Sequence, residues 1–206
     1  MKKVLVTGAS GGVGAACTKE LISRGYDVTT WTSAQCNFEY PERIFDHDLF
    51  CYDYVLNCAG HGQGHHQGFF ANSWQNQSSQ IMVNYVSNIF LFKHYANSRQ
   101  TGRYAWISTR LVLDPLSRPK QAVYISSKIA SAVAIECALA ENKNISVLEV
   151  QLGLTRSNFR DRSCQGSVSQ HEIDQIWQQQ NALTAAEAAV RIVDATLSSC
   201  NKILIQ

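Results

Sequence analysis

The sequence predicts an α/β protein: a doubly wound, parallel sheet of seven strands with helices on both faces, in a single domain spanning residues 1–206. Three observations carry this. Short apolar runs alternate with segments of helical spacing from one end of the chain to the other. The chain opens on VLVTGASGGVG, Val4 to Gly14, an apolar run followed at once by four glycines in seven positions. The 206 residues, 45% of them hydrophobic, suit one ordinary core, with no repeat, low-complexity segment or linker.

The elements follow in order. Val4 to Thr7 is a short buried strand, and Gly12 to Ser23 has helical spacing that Gly25 stops. Tyr26 to Trp31 reads as the second strand, Arg43 to Phe45 as the third and Tyr54 to Asn57 as the fourth. Only eight residues separate Asp48 from Asn57. A parallel crossover normally takes a dozen or more, so a bare loop or a short turn, and a thinly covered sheet face, are expected there. GHGQGHHQG, Gly60 to Gly68, is a loop, and Ser78 to Ala96 is a long helix. Tyr104 to Ile107 is the fifth strand, the alanine-rich stretch Tyr124 to Glu141 the second long helix, and Ile145 to Val150 the sixth strand. Thr184 with Glu187 three residues on forms a capping box opening a helix to Leu197, and KILIQ is the last strand. Arg156 to Asn181 is polar and weakly periodic and receives no element.

Composition excludes several classes. A net charge of +2 and a pI near 8.2 give no footprint for nucleic acid or a membrane surface. Seven cysteines, an odd number without a CxxC pair, read as reduced thiols rather than a disulfide framework or zinc site. With no leader-like start and no run of 18 apolar residues, a soluble, cytoplasmic protein is expected. His61, His65 and His66 match no ligand spacing, so no metal site is assigned.

The opening loop has a definite chemistry. A strand, a glycine-rich turn and a helix in that order present free N–H groups and a positive dipole end to an anion. The motif is Thr7-Gly8-x-x-x-Gly12-x-Gly14. Further along come Asn57-Cys58-Ala59-Gly60, Asn84 in MVNYVSN, Tyr124-x-x-x-Lys128, and Leu152-Gly153-Leu154-Thr155. This ordered set resembles the classical short-chain dehydrogenase/reductase family, as a compact and divergent member. Its patterns are TGxxxGxG, NNAG, a helix asparagine, YxxxK and a PGxxxT-like turn. The chain departs from them at Cys58, which replaces the second asparagine, and at Leu152, which replaces proline.

The resemblance implies a Rossmann-type dinucleotide site and a carbonyl–alcohol oxidoreductase of the carbonyl reductase type. Tyr124 is then the proton donor or acceptor. Lys128, four residues on along one helix face, favours the phenolate and holds the nicotinamide ribose. The family's catalytic serine slot falls on Thr109 when aligned from Gly102, with Ser108 just before it. The two side chains of a strand point to opposite faces, so one serves, and Thr109 is preferred. Asn84 is expected to organise a water that relays protons to Lys128. The cofactor site is expected to comprise Thr7, Gly8, Ser10, Gly11, Gly12, Val13, Gly14, Thr32, Ser33, Asp48, Leu49, Asn57, Ala59, Gly60, Tyr124, Lys128, Gly153 and Thr155, with Asp48-Leu49 at adenine and Thr155 at the carboxamide.

The second strand ends Trp31-Thr32-Ser33-Ala34, with no acid to bond an adenosine ribose. Two hydroxyls there favour NADP(H), and NAD(H) is the alternative. Residues 156–181 are expected to cap the substrate, and Arg156, Arg160 and Arg162 within them suit an anionic one. The consecutive Ile89, Phe90, Leu91 and Phe92 on a helix apolar all round point to a homodimer or homotetramer. The competing function is a dinucleotide-binding sensor or scaffold without turnover. An isomerase or dehydratase of the same fold ranks last, on its glycine spacing.

Overall fold

The computed structural model describes residues 1–64, 67–99, 101–141, 145–164, 169, 171, 174–175 and 182–206. The chain builds β1 (Lys3–Thr7), α1 (Gly12–Ser23), β2 (Asp27–Trp31) and β3 (Tyr54–Asn57). Then follow α2 (Trp74–Ile81), α3 (Ser87–Ser98), β4 (Gly102–Thr109), α4 (Ala122–Glu141) and β5 (Ile145–Leu152). A short β6 (Thr155–Arg156) and α5 (Asn158–Cys164) lead to β7 (Leu183–Thr184), α6 (Ala185–Leu197) and β8 (Lys202–Ile205).

The main sheet runs β2-β1-β3-β4-β5-β8, parallel throughout, and β6 pairs with β7 in a separate two-stranded ladder. The main sheet therefore has six strands where seven were expected. The missing one is Arg43 to Phe45, which lies in a 3-10 helix over Pro41–Asp46. Pro41 opens that turn with its fixed φ, and the turn's spacing drives Ile44 into the core.

Strand alternation sorts the core into two layers. Val4 and Val6 point to the face covered by α1 and α6, where Cys17, Leu21, Ala188, Ile192 and Val193 pack. Leu5 points to the other face, with Val55, Tyr104, Trp106, Leu91 and Ile135. The crossover from β2 to β3 contributes Cys36, Phe38, Ile44 and Leu49 to that second layer, all buried. The thin cover expected there is thus corrected: irregular chain does the work of a helix by burying four apolar side chains. The capping box stands as read. Thr184 Oγ1 accepts from Glu187 N–H at 3.2 Å, and the Glu187 carboxylate accepts from Thr184 N–H at 2.8 Å.

The chain leaves β1 outward to β2, then returns across β1 to β3. The connections after β1 and β3 therefore diverge at the carboxyl ends of two adjacent strands, which opens a crevice between them.

Candidate functional site

That crevice encloses about 1670 Å³. Its first wall is the glycine loop. Gly8 has φ +63°, and a Cβ on it would come within 2.6 Å of Ala59 N. A Cβ on Gly14 would strike the carbonyl oxygen of Gly8. Both positions must therefore be bare for β1, the loop and the Asn57–Gly60 turn to close together. The resulting cradle of backbone N–H groups at the start of α1 suits a pyrophosphate. Arg162, on α5, has Nη2 3.7 Å from where a Gly11 Cβ would lie, adding a cation to the cradle.

The second wall carries the acid–base groups. Thr109 ends β4, and its hydroxyl lies close enough to that of Tyr124 on α4 to favour the phenolate. Ser108 also borders the crevice, but its Oγ is buried without a partner among the described residues. Thr109, not Ser108, therefore acts on the Tyr124 phenol. Lys128 lies one turn along α4, 4% exposed, and donates from Nζ to the carbonyl oxygen of Ile107 at 2.8 Å. Burial pulls its pKa down to about 8, opposed by Cys58. Burial pushes Tyr124 up to about 12, and the Thr109 hydrogen bond works against it. The expected lowering of Tyr124 by Lys128 is corrected for the free protein: the ammonium is turned to Ile107, and desolvation of the phenol prevails.

Most of the sequence-derived residues meet here. Thr7, Gly8, Ser10, Gly11, Gly12, Val13, Gly14, Thr32, Ser33, Ala59, Gly60, Ser108, Thr109, Tyr124, Lys128, Gly153 and Thr155 all line the crevice. Four do not. Asn57 is 3% exposed and donates from Nδ2 to Asn88 Oδ1 at 2.6 Å, while its Oδ1 accepts from the Thr7 hydroxyl. It ties β1 to β3 behind the site. Asn84 sits in a single π-turn, Met82–Val86. Both ends of its amide are engaged by His61, whose N–H and carbonyl lie at 2.9 and 2.8 Å. The Asn84 amide thus clamps the loop after Gly60. Leu49 is wholly buried in the core, and the Asp48 carboxylate accepts from Phe50 N–H at 2.8 Å, so neither reaches the crevice.

In their place stand Cys36, Asn37, Phe38 and Glu39 of the crossover, which no motif announced. Phe159 of α5 also went unread. Its ring centroid lies 5.8 Å from that of Tyr124, and its Cε2 lies 3.8 Å from where a Gly60 Cβ would sit. The expected capping region, 156–181, is described only in part. Arg156 is exposed, Arg162 sits at the glycine loop, and the Arg160 side chain lies outside the described residues, as do His65 and His66. Among the described residues no group of three His, Cys, Asp or Glu side chains could hold a metal.

A family model described as "NAD dependent epimerase/dehydratase family" matches residues 4–152, from the first strand through the fifth. The chain belongs to that family. No curated protein sequence matches this epimerase/dehydratase family member. Solved structures match its whole length. A small-chain dehydrogenase in complex with NADPH shares 16% identity with TM-score 0.84, covering 100% of this chain and 96% of that one. A short chain dehydrogenase from Burkholderia cenocepacia J2315 in complex with NADP shares 17% at TM-score 0.79, covering 100% and 90%. The closed form of serine dehydrogenase complexed with NADP+ shares 18% at TM-score 0.81, covering 98% and 94%. At these identities the likeness fixes the fold: the short-chain dehydrogenase type of Rossmann sheet that the motifs announced.

Proposed function

We propose that this family member is an NADP(H)-dependent oxidoreductase that interconverts a carbonyl and an alcohol. The observation that carries the reading is the Thr109 hydroxyl beside the Tyr124 phenol, one turn from buried Lys128, facing the same crevice as the glycine cradle. The residues present fit a nicotinamide dinucleotide. The cradle that a Cβ at Gly8 or Gly14 would close matches a pyrophosphate, and Arg162 neutralises it. Ser33 and Asn37, with no carboxylate at the end of β2, suit a 2′-phosphate. NADP or NADPH in the solved relatives named above supports the same choice.

When bound, the nicotinamide supplies a hydride. The protein's part is acid–base and positional. A phenol held near pKa 12 stays protonated at neutral pH, ready to donate to a carbonyl oxygen as negative charge grows there. Thr109 offers the second hydroxyl to that oxygen. Lys128, released from Ile107, places a cation behind Tyr124 once the phenolate forms. Phe159 and the half-buried Leu152 and Leu154 keep the reacting centre apolar.

One observation favours a second reading, a dinucleotide-binding protein without turnover: the Lys128 ammonium is bonded to the Ile107 carbonyl oxygen at 2.8 Å, and burial holds the Tyr124 phenol up at about 12. A panel of aldehydes and ketones with NADPH separates the two. The oxidoreductase reading expects NADPH oxidation by at least one carbonyl and a lower Kd for NADPH than for NADH. Tight NADPH binding with no oxidation across the panel would instead establish the second reading.

A further inference from the structure

The segment between the two paired hydroxyls, Arg110 to Gln121, forms the outer end of the crevice. Arg110, Leu111, Ser117, Arg118, Lys120 and Gln121 of this segment line it. Three of these are cations. Arg110 follows Thr109 directly, and its Cδ lies 3.6 Å from where a Gly153 Cβ would sit. Lys120 also lines the crevice, its Cγ 3.6 Å from where a Gly68 Cβ would lie. Arg118 stands between them in the chain, six residues before Tyr124. None of the three charged ends has a hydrogen bond or ion pair with a described residue. The carboxylate on this segment, Asp114, does not border the crevice. Among the described residues, the side-chain carboxylate that does, Glu39, comes from the crossover and is already bonded by the Ser79 hydroxyl at 2.6 Å.

A dinucleotide does not account for these charges. The glycine loop and Arg162, with Ser33 and Asn37, would meet its phosphates, whereas Arg110, Arg118 and Lys120 lie on the crevice-lining segment that joins Thr109 to Tyr124, the pair assigned to the reacting carbonyl. Unpaired cations beside an apolar wall of Leu111, Leu152, Leu154 and Phe159 favour a ligand with an apolar body and an anionic end. We propose that the outer end of the crevice, bracketed by Arg110, Arg118 and Lys120, recognises a carboxylate or phosphate group on the substrate. This deepens the reading under Proposed function and rests on it for the location of the carbonyl.

Binding tests the proposal without requiring turnover. Benzoate, phenyl phosphate and neutral benzyl alcohol are titrated calorimetrically into the protein with NADP+ present. The same titrations are run on Arg110→Gln, on Arg118→Gln with Lys120→Gln, and on Arg162→Gln. All of these change exposed side chains, and circular dichroism checks their folding. We expect at least one anion to bind tenfold or more tightly than benzyl alcohol. That preference should shrink at least fivefold in the first two variants and persist in Arg162→Gln. A stronger response to phenyl phosphate than to benzoate identifies a phosphate ligand, and the reverse a carboxylate. Equal binding of charged and neutral probes, or a preference lost only in Arg162→Gln, would overturn the proposal. If the anion preference behaves as expected while no carbonyl oxidises NADPH, the oxidoreductase reading fails and anion recognition stands.

Discussion

Thr109 and Ser108 are adjacent, yet only one of them meets Tyr124. Strand alternation made the choice between them binary, and the hydroxyl contact decides it. Thr109→Val keeps the shape and removes the hydroxyl, so it should lower kcat by about 10- to 100-fold. Ser108→Ala should stay within about threefold; steady-state NADPH oxidation by both variants reads this out, and the reverse ranking would reassign the site. Lys128 makes a separate prediction in stability. Its pKa falls from 10.5 in the unfolded chain to about 8 in the folded protein. Below pH 8 both states carry the proton, and the fold bears the full cost of a buried charge. Between pH 8 and 10.5 the unfolded chain holds more protons, so stability rises with pH through that window. Lys128→Met should thus be more stable than the natural protein at pH 7. Its margin should shrink by about 3 kcal/mol on going to pH 10.5. Urea unfolding at the two pH values measures this, and a margin independent of pH would show that the amine is not buried as described.

At the scale of elements, legibility followed local periodicity. The first helix, Gly12–Ser23, was read with its observed bounds because Gly25 marks its end, and the capping box at Thr184 announced α6. The long helix expected over Ser78 to Ala96 begins earlier, at Trp74, where the Ser73 hydroxyl caps the helix by accepting from Asn76 N–H, and it is interrupted by the π-turn that holds Asn84. A five-residue change of helical register leaves no trace in a 3.6-residue pattern. The crossover was misread because Arg43-Ile44-Phe45 has strand-like composition, while its fate is set by Pro41 and by what lies beneath. Ile44 fills the core, and the Phe45 ring packs 5.6 Å from that of Phe90. That contact also answers the apolar run on α3. Leu91 and Phe92 are buried and the Phe90 ring packs against that of Phe45, so these side chains of the run have partners within their own chain. The glycine loop is the element with the tightest tolerance. Gly14→Ala sets a methyl against the Gly8 carbonyl, and should cost about 2–4 kcal/mol and weaken NADPH binding. A loss below about 0.5 kcal/mol in urea unfolding would contradict the close approach.

Across the whole molecule, topology does what no single motif could. The six-stranded order places the switch between β1 and β3, and every motif that lines the crevice follows the carboxyl end of a strand or faces it from α4. The glycine loop, Tyr124 and Lys128 were legible from sequence because each has fixed spacing on one element. Arg110, Arg118 and Phe159 were not, because no motif marks the loop segment and the short α5 that tertiary packing brings to the site. Pro119–Glu141 is long and apolar enough to cross a bilayer. In this fold α4 instead buries Ile125, Lys128, Ser131 and Ile135 against its neighbours and turns Tyr124 to the crevice. The most direct measurement is NADPH oxidation by the natural protein and by Tyr124→Phe, at pH 7 with saturating cofactor and the best carbonyl of the panel. Loss of the proton donor should lower kcat by about 100-fold or more, with the Kd for NADPH within about threefold of the natural value. An unchanged kcat in Tyr124→Phe would contradict the account at its centre.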